Sequence, residues 1–461
     1  MKKIYKSFLA GTFLSAMLAV SASAYNASFT NCADALNQMG LFQGTESGYA
    51  LDKKPTRAEA ATMLVRLLGK EAEAKEKNYT TPFTDVPDWA KPYVGWLYEN
   101  KLTNGTTNTT YGSNSDCTSQ MYATFLLRTL GYSDTGSNAD FNYKNAIDFA
   151  MDKNVLDYAN YDEDSFLRDN LVAMSYTALA TNPKDDNTKT LLDKLVADGA
   201  IDSAKAKPVQ DTFNTYNEYS KLVEKNQSIT DMDMNINMDI NAKMNNVQAL
   251  SMKVDGNMKA NMNLKEMDKS KFAMNAKADL TVNKLLTGEE KDTNETVNMN
   301  LYYADGMYYI NVDNEKMKMP LSFEDIMDGM DITDMTSNYE PISMLQSISK
   351  NSDGSFNVSY TSGYLNSMVE TALGMSLGEI TNGVDMSFDK VNIVVKSQND
   401  QIKNMKADMS FTVKEPTTNT NLVFDIGVGY DIVATGDSVN VTLPTDLDTY
   451  QDMSFDEDVN S

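Results

Sequence analysis

Histidine is missing from all 461 residues, and cysteine occurs only twice. Without imidazole there is no Ser-His-Asp triad, no Cys-His nucleophile and no histidine-ligated zinc. The one side chain that ordinarily titrates near neutrality is gone as well. Positive charge is scarce: 40 Lys and Arg stand against 65 Asp and Glu, for a net charge of −25. A nucleic-acid binder needs basic patches against phosphate, so that class is not expected. Beyond the first two dozen residues no run reaches the roughly 18 apolar residues of a membrane helix, so the chain is not read as membrane-spanning. What remains is ordinary for globular protein, with 41% hydrophobic and 23% charged residues. The length suits about three domains, and 30 residues are methionine.

Lys2, Lys3 and Lys6 precede an apolar run from Phe8 to Val20, and Ala22-Ser23-Ala24 has the form of a cleavage site. Residues 1–24 therefore read as a signal peptide cleaved near Ala24. Losing its three lysines takes the net charge from −25 to −28. The mature chain is expected to be secreted, and with no cysteine at the cleavage point a lipid-anchored N-terminus is not expected. In an oxidising exterior Cys32 and Cys117 are compatible with a disulfide, and equally with two isolated buried thiols.

Three segments align without gaps: TRAEAATMLVRLLG from Thr56, TSQMYATFLLRTLG from Thr118 and LRDNLVAMSYTALA from Leu167. Ala61, Leu64, Val65 and Leu68 recur at helical spacing, as do Ala123, Leu126, Leu127 and Leu130. A second helical segment lies upstream of each: 31–40, 88–101 and 141–153. The unit is helix, loop, helix, three times over, at about 29–70, 83–132 and 141–181. Thr56-x-x-Glu59 is a capping box, in which threonine and glutamate satisfy each other's backbone amides. Arg57 is placed against local electrostatics, because a cation in the first turn opposes the helix dipole, and Arg168 repeats that position. Two readings stay open: a partner anion at the helix N-terminus, or an internal ion pair with Asp85 or Asp52.

Phe83-Thr84-Asp85-Val86 followed by Trp89-Ala90, the loops at Gly44 and Gly105, and Thr56-Arg57-Ala58-Glu59 resemble the S-layer homology module of bacterial surface proteins. The resemblance covers roughly residues 29–181. The third repeat lacks the F-x-D-V opening and the loop glycine. It implies an all-α, pseudo-threefold helical bundle that binds acidic, often pyruvylated, secondary cell-wall polysaccharide in grooves between repeats. Carried onto this sequence it implies polysaccharide contacts at Arg57, Arg168, Asp85, Trp89, Gly44, Gly105 and Glu59. For Trp89 the alternatives are stacking on a sugar face and plain core packing.

Residues 182–228 read as a helical connector, helical at 190–196 and 209–223 and broken once at Ala204-Lys205-Ala206-Lys207-Pro208. From Ile229 the period changes to 2. Met232, Met234, Ile236, Met238 and Ile240 alternate with Asp and Asn, and similar alternation recurs at 250–264, 272–282, 297–303, 308–312, 405–413 and 422–432. Asp305-Gly306 marks a hairpin. Two helices are expected at Ser322–Met335 and Tyr364–Leu377. These strands form antiparallel sheet with one wet face. The segment 229–461 is similar in pattern to exported proteins of the LolA-like superfamily, which implies a curved, half-barrel sheet wrapped around helices. That resemblance implies an apolar-ligand face at Met232, Met234, Met238, Met252, Met258, Met262 and Met274, taking lipid or another apolar ligand. Met-x-Met spacing also suggests a soft metal, but strand alternation explains it without one.

No convergent catalytic set is visible. Asp134-Thr135-Gly136-Ser137 spells an aspartic-protease motif, but it sits in a polar linker with no second copy to complete a dyad. The sequence thus predicts a multidomain α + β, non-enzymatic protein of the cell surface. Its partner is a wall polysaccharide, with no cofactor, no metal and no nucleic acid. The alternatives are a carrier or sensor of an apolar ligand and a component of a surface lattice.

Overall fold

The structure is a computed structural model that describes residues 29–45, 48–77, 79–156, 160–161, 165–263, 265–320, 342–361, 385–415 and 420–452. The signal segment and the helices expected at 322–335 and 364–377 lie outside the described residues. The chain divides into two compact units. One is Tyr25–Asn217 with Tyr339–Ser347; the other comprises Glu218–Asn338 and Ile348–Ser461.

The first unit is helical: α1 (Thr30–Gln38), α2 (Arg57–Leu67), α3 (Glu71–Glu76), α4 (Lys91–Glu99), α5 (Ser119–Thr129), α6 (Ala146–Asp152), α7 (Arg168–Ala180) and α8 (Leu191–Ala197). The three aligned segments are α2, α5 and α7, and their apolar stripes make the core. Leu64, Leu67, Leu126 and Leu127 are fully buried, and the Tyr122 hydroxyl meets Ser175 Oγ at 2.6 Å between α5 and α7. The capping box of α2 forms: Glu59 N donates to Thr56 Oγ1 at 3.3 Å, and Thr56 N donates to Glu59 Oε2 at 2.7 Å. At α7 only half of it survives. Leu167 offers no side-chain oxygen, while its amide still donates to Asn170 Oδ1 at 2.9 Å. The returning segment joins this core, where Asn31 Nδ2 donates to Leu345 O at 2.6 Å. Cys32 and Cys117 are both buried and both free. Each thiol has its own carbonyl acceptor, Ser343 O for Cys32 and Thr118 O for Cys117, and no disulfide joins them.

Helix α9 (Ser203–Gln227) runs through the expected break, with Pro208 inside it. The proline lies in the second turn, just past the leading amides that lack intrahelical partners, so its missing N–H costs one backbone hydrogen bond of the helix.

Twelve strands form one sheet among the described residues: β1 (Asp231–Met244), β2 (Val247–Asn261), β3 (Lys271–Val282), β4 (Thr293–Ala304), β5 (Met307–Val312), β6 (Glu315–Pro320), β7 (Leu345–Lys350), β8 (Phe356–Tyr360), β9 (Asp385–Gln398), β10 (Gln401–Glu415), β11 (Thr420–Thr435) and β12 (Gln451–Asp452). Their order is β12-β6-β5-β4-β3-β2-β1-β11-β10-β9-β8-β7. Among the described residues β12 pairs parallel with β6, while β1 with β11, β1 with β2 and β2 with β3 pair antiparallel. The pairing of β1 with β11 sets Met238 opposite Val428 and brings the two ends of the strand-rich segment together. Four hairpins turn on two left-handed residues each: Asn245-Asn246, Asp305-Gly306, Asp313-Asn314 and Asn399-Asp400. Only the second contains glycine. Asn and Asp tolerate positive φ well enough to serve at the others.

Candidate functional site

The helical repeats meet at junctions, and two of these are built alike. At the first, the leading amides of α2 are taken by the loop before α5. Arg57 N donates to Ser115 O at 2.9 Å and Ala58 N to Ser113 O at 3.2 Å. At the second, the leading amides of α7 are taken by the loop before α2. Arg168 N donates to Lys53 O at 2.8 Å and Asp169 N to Leu51 O at 3.1 Å. Helix-terminal donors that would otherwise lack partners are thereby satisfied across repeats. The arginines repeat the pattern. Arg57 Nε donates to Tyr111 O at 3.0 Å and its guanidinium lies 4.9 Å from the Tyr111 ring centroid. Arg168 Nε donates to Tyr49 O at 3.0 Å and lies 5.2 Å from the Phe42 ring centroid. Tyr111 and Tyr49 stand at the same alignment position of their loops.

The junctions differ in what the guanidinium meets next. Arg168 Nη1 lies 3.5 Å from Glu59 Oε1. Burial lowers the pKa of Arg168 and the glutamate raises it, with burial the larger effect. Arg57 reaches the equivalent position of the neighbouring helix, but the residue there is Met121, whose sulfur is 3.0 Å from Nη1. Among the described residues Arg57 makes no ion pair, and it is 5% exposed. The internal pairs considered for it do not form. Asp52 pairs with Lys53 at 2.9 Å. Asp85 accepts from the amides of Tyr111 and Gly112 at 2.7 Å and of Ser113 at 3.1 Å. Burial pushes the Asp85 carboxyl up, but the three amides outweigh it and hold the pKa below the usual range.

A cavity of about 390 Å³ opens beside Arg168, within the range of small-ligand sites. Its lining includes Phe42, Gly44, Glu59, Arg66, Trp89 and Arg168. Trp89 is 54% exposed, so core packing does not account for it. Gly44 has φ +66°, and a Cβ there would come within 2.8 Å of Gly48 O, so the loop shaping this wall needs glycine. Arg66 is held by Glu71, whose Oε1 accepts from Arg66 Nη2 at 3.1 Å and Tyr93 Oη at 2.7 Å, and lies 2.8 Å from Lys75 Nζ. Burial pushes the Glu71 carboxyl up, but the lysine, tyrosine and arginine together bring it down to about 2.

Of the residues singled out in the sequence, Gly44, Glu59, Trp89 and Arg168 come together at this cavity. Asp85 and Gly105 serve the loop before α5 instead. A Cβ on Gly105 would fall 2.4 Å from Phe83 Cε1. Arg57 is not among the cavity's lining residues. Arg66, Tyr93 and Phe42 went unnoticed. A signal for Arg66 was available, since Arg128 occupies its place in the aligned second segment and is likewise held by an acid, Asp134, at 2.6 Å. That pair also accounts for Asp134 of the protease-like motif.

The methionines of the strand-rich unit are buried to different degrees. Met234, Met238, Met252 and Met274 are buried, the last three within a core of Val254, Leu280, Leu301 and Ile310. Met258 packs against that core, and Met232, Met258 and Met262 are half-buried. Among the described residues no helix is long and apolar enough to cross a membrane.

Comparison with known proteins bears on the helical unit. The S-layer homology domain profile matches residues 82–118. A middle cell wall protein of Brevibacillus brevis is 30% identical over 145 residues, covering 29% of this chain and 14% of that protein. A surface layer protein of Brevibacillus choshinensis is 29% identical over 143 residues, covering 29% of this chain and 13% of that protein. The alignment thus spans about a seventh of the length of these curated relatives. Among solved structures, the S-type phycobiliprotein lyase CPES of Guillardia theta aligns over 48% of this chain and 94% of its own, at 6% identity and a TM-score of 0.16, and no fold is carried over at that score. Residues 82–118 are thus similar to the S-layer homology domain, and that segment includes the exposed Trp89 of the cavity.

Proposed function

We propose that this protein is held non-covalently at the cell wall by its helical unit, which binds a secondary wall polysaccharide and leaves the strand-rich unit displayed. The observation that carries the reading is Trp89, half-exposed within the matched segment at the mouth of a cavity flanked by two arginines. An indole face and polar groups lining a concave site suit a sugar ring. The relatives' names, a cell wall protein and a surface layer protein, support a surface location. An acidic polymer is the substrate class we favour, because Arg57 is a buried cation that pairs with no carboxylate among the described residues. At physiological ionic strength the Debye length is about 8 Å, so local donors outweigh the distant net negative charge. The role is binding, without catalysis.

The test is co-sedimentation of the mature chain with purified walls, before and after the secondary polymer is stripped. Retention lost on stripping, and weakened about tenfold or more by Trp89→Ala, is the expected result. Equal retention by stripped walls refutes the reading.

A further inference from the structure

The wet face of the sheet carries a row of asparagines that runs across its strands. Asn311 of β5 pairs with Asn300 of β4, Asn300 with Asn275 of β3, Asn275 with Asn257 of β2, and Asn257 with Asn235 of β1. Asn235 then meets Asp431 of β11, and Asp431 meets Asn404 of β10. At about 4.8 Å between neighbouring strands, the row spans roughly 29 Å. Contact with water does not by itself ask for asparagine. Asn is depleted in strands, where Thr serves a wet position better. The next row, two residues along, reads Asn298, Lys277, Asp255 and Asn237. Neighbouring rungs orient one another: Asn257 Nδ2 donates to Asn235 Oδ1 at 3.1 Å, and Asn404 Nδ2 to Asp431 Oδ1 at 2.8 Å. Between them Asn275 is exposed, and among the described residues neither its side-chain amide nor that of Asn300 makes a hydrogen bond. The charges beside the row cancel locally. Lys253, Lys277 and Lys406 pair with Asp255, Asp279 and Asp408 of their own strands at 3.3, 2.8 and 3.1 Å. At one end Tyr302 and Tyr309 stand opposite each other, both half-buried.

A primary amide offers donors and an acceptor without charge, so it can meet a hydroxyl in either sense. A row of amides on a locally neutral face, with tyrosine rings at one end, suits an extended chain of uncharged sugars. The asparagine row and the row of Asn298 hold no aromatic or arginine side chain. Protein interfaces depend on such anchors, so a second copy of the chain is the weaker fit. We infer that the asparagine row binds an uncharged polysaccharide laid across the strands, a glycan site of the strand-rich unit distinct from the helical one. It stands or falls independently of wall anchoring by the helical unit.

The test uses the mature chain carrying Trp89→Ala, which takes the helical cavity out of the measurement. It is titrated by calorimetry with cellohexaose, N-acetylchitohexaose and hexagalacturonate. At least one uncharged hexamer is expected to bind. The acidic hexamer is expected to bind about tenfold more weakly, because Asp431 sits in the row and the lysines beside it are already paired with aspartates. The double variant Asn275→Thr, Asn300→Thr removes two amides from the middle of the row. It is expected to weaken the uncharged hexamer about tenfold, the effect of two lost hydrogen bonds. Its melting temperature is expected to hold or rise, because Thr is the better strand former. No binding of either uncharged hexamer, equal binding of the acidic one, or unchanged affinity in the double variant overturns the inference. A melting temperature that falls together with affinity gives the asparagines a structural role and overturns it too. So does concentration-dependent dimerisation of the chain that the double variant abolishes, which assigns the face to a second copy. If the hexamer binds as expected while the chain fails to sediment with walls, the inference stands and wall anchoring fails.

Discussion

Glu71 is the clearest point at which acid should loosen the cavity wall. One of its oxygens accepts from Arg66 and Tyr93 and faces Lys75, and together these partners hold the carboxyl at about 2 instead of its ordinary 4.5. The folded-state pKa lies below the unfolded one, so this group stabilises the fold above about pH 4.5 and loses that contribution as pH falls toward 2. In a fully desolvated site a shift of this size corresponds to about 3 kcal/mol. Glu71 is still partly wetted, so about 1–2 kcal/mol is expected. The perturbation is Glu71→Gln, which keeps the shape and one acceptor but removes the charge. The assay is urea unfolding of wild type and variant at pH 7, 5, 4 and 3. Taking the difference between the two proteins cancels the titration of other acids, apart from any coupled to Glu71. The variant should be less stable by about 1–2 kcal/mol at pH 7, with the gap closing below pH 4.5. A gap that stays constant from pH 7 to pH 3 refutes the electrostatic account and leaves only a packing defect.

Asp169 should behave oppositely. Burial raises its pKa to about 6, against the lowering effect of the Phe29 amide that donates to it at 2.7 Å. Its charge therefore costs stability as pH rises from about 4 to 6. Asp169→Asn keeps an acceptor for Phe29 and should stabilise the fold by about 1–2 kcal/mol at pH 7 and not at pH 4, read by melting at both values. Gly105→Ala should cost about 2–4 kcal/mol, since φ is +70° and the new Cβ would strike Phe83, itself packed on Tyr98 and Tyr111. Gly306→Ala, with φ +73° and nothing within 4 Å, is the control and should cost only about 1 kcal/mol. Equal losses at the two glycines in urea unfolding would show that backbone strain, not the Phe83 clash, sets both.

What could be read without a structure was local. Apolar spacing placed α2, α5 and α7 within a residue or two, because a helix buries residues by their separation along the chain. The capping box at Thr56 and Glu59 needs only a three-residue spacing. Strict alternation from Met232 to Ile240 announced a strand with one wet face. Three of the four two-residue hairpins were not anticipated, because Asn-Asn, Asp-Asn and Asn-Asp turn the chain without the glycine that usually announces it. The pairing of β1 with β11, about 190 residues apart, has no local signature at all.

The site depended on tertiary contacts in the same sense. Arg57 and Arg168 are indistinguishable by position in their helices. Which of them carries a counterion is decided by the residue the neighbouring repeat presents, Met121 or Glu59. Trp89 and Trp96 lie seven residues apart, yet one is half-exposed and the other buried. Cys32 and Cys117 are buried apart, each thiol donating to its own carbonyl, and are not joined. Sequence alone determined the periodicities, the caps and the resemblance that pointed to the wall. Only the tertiary structure decided which charges are compensated and which aromatic face is open, because compensation and exposure depend on distances between chain segments and not on spacing along one.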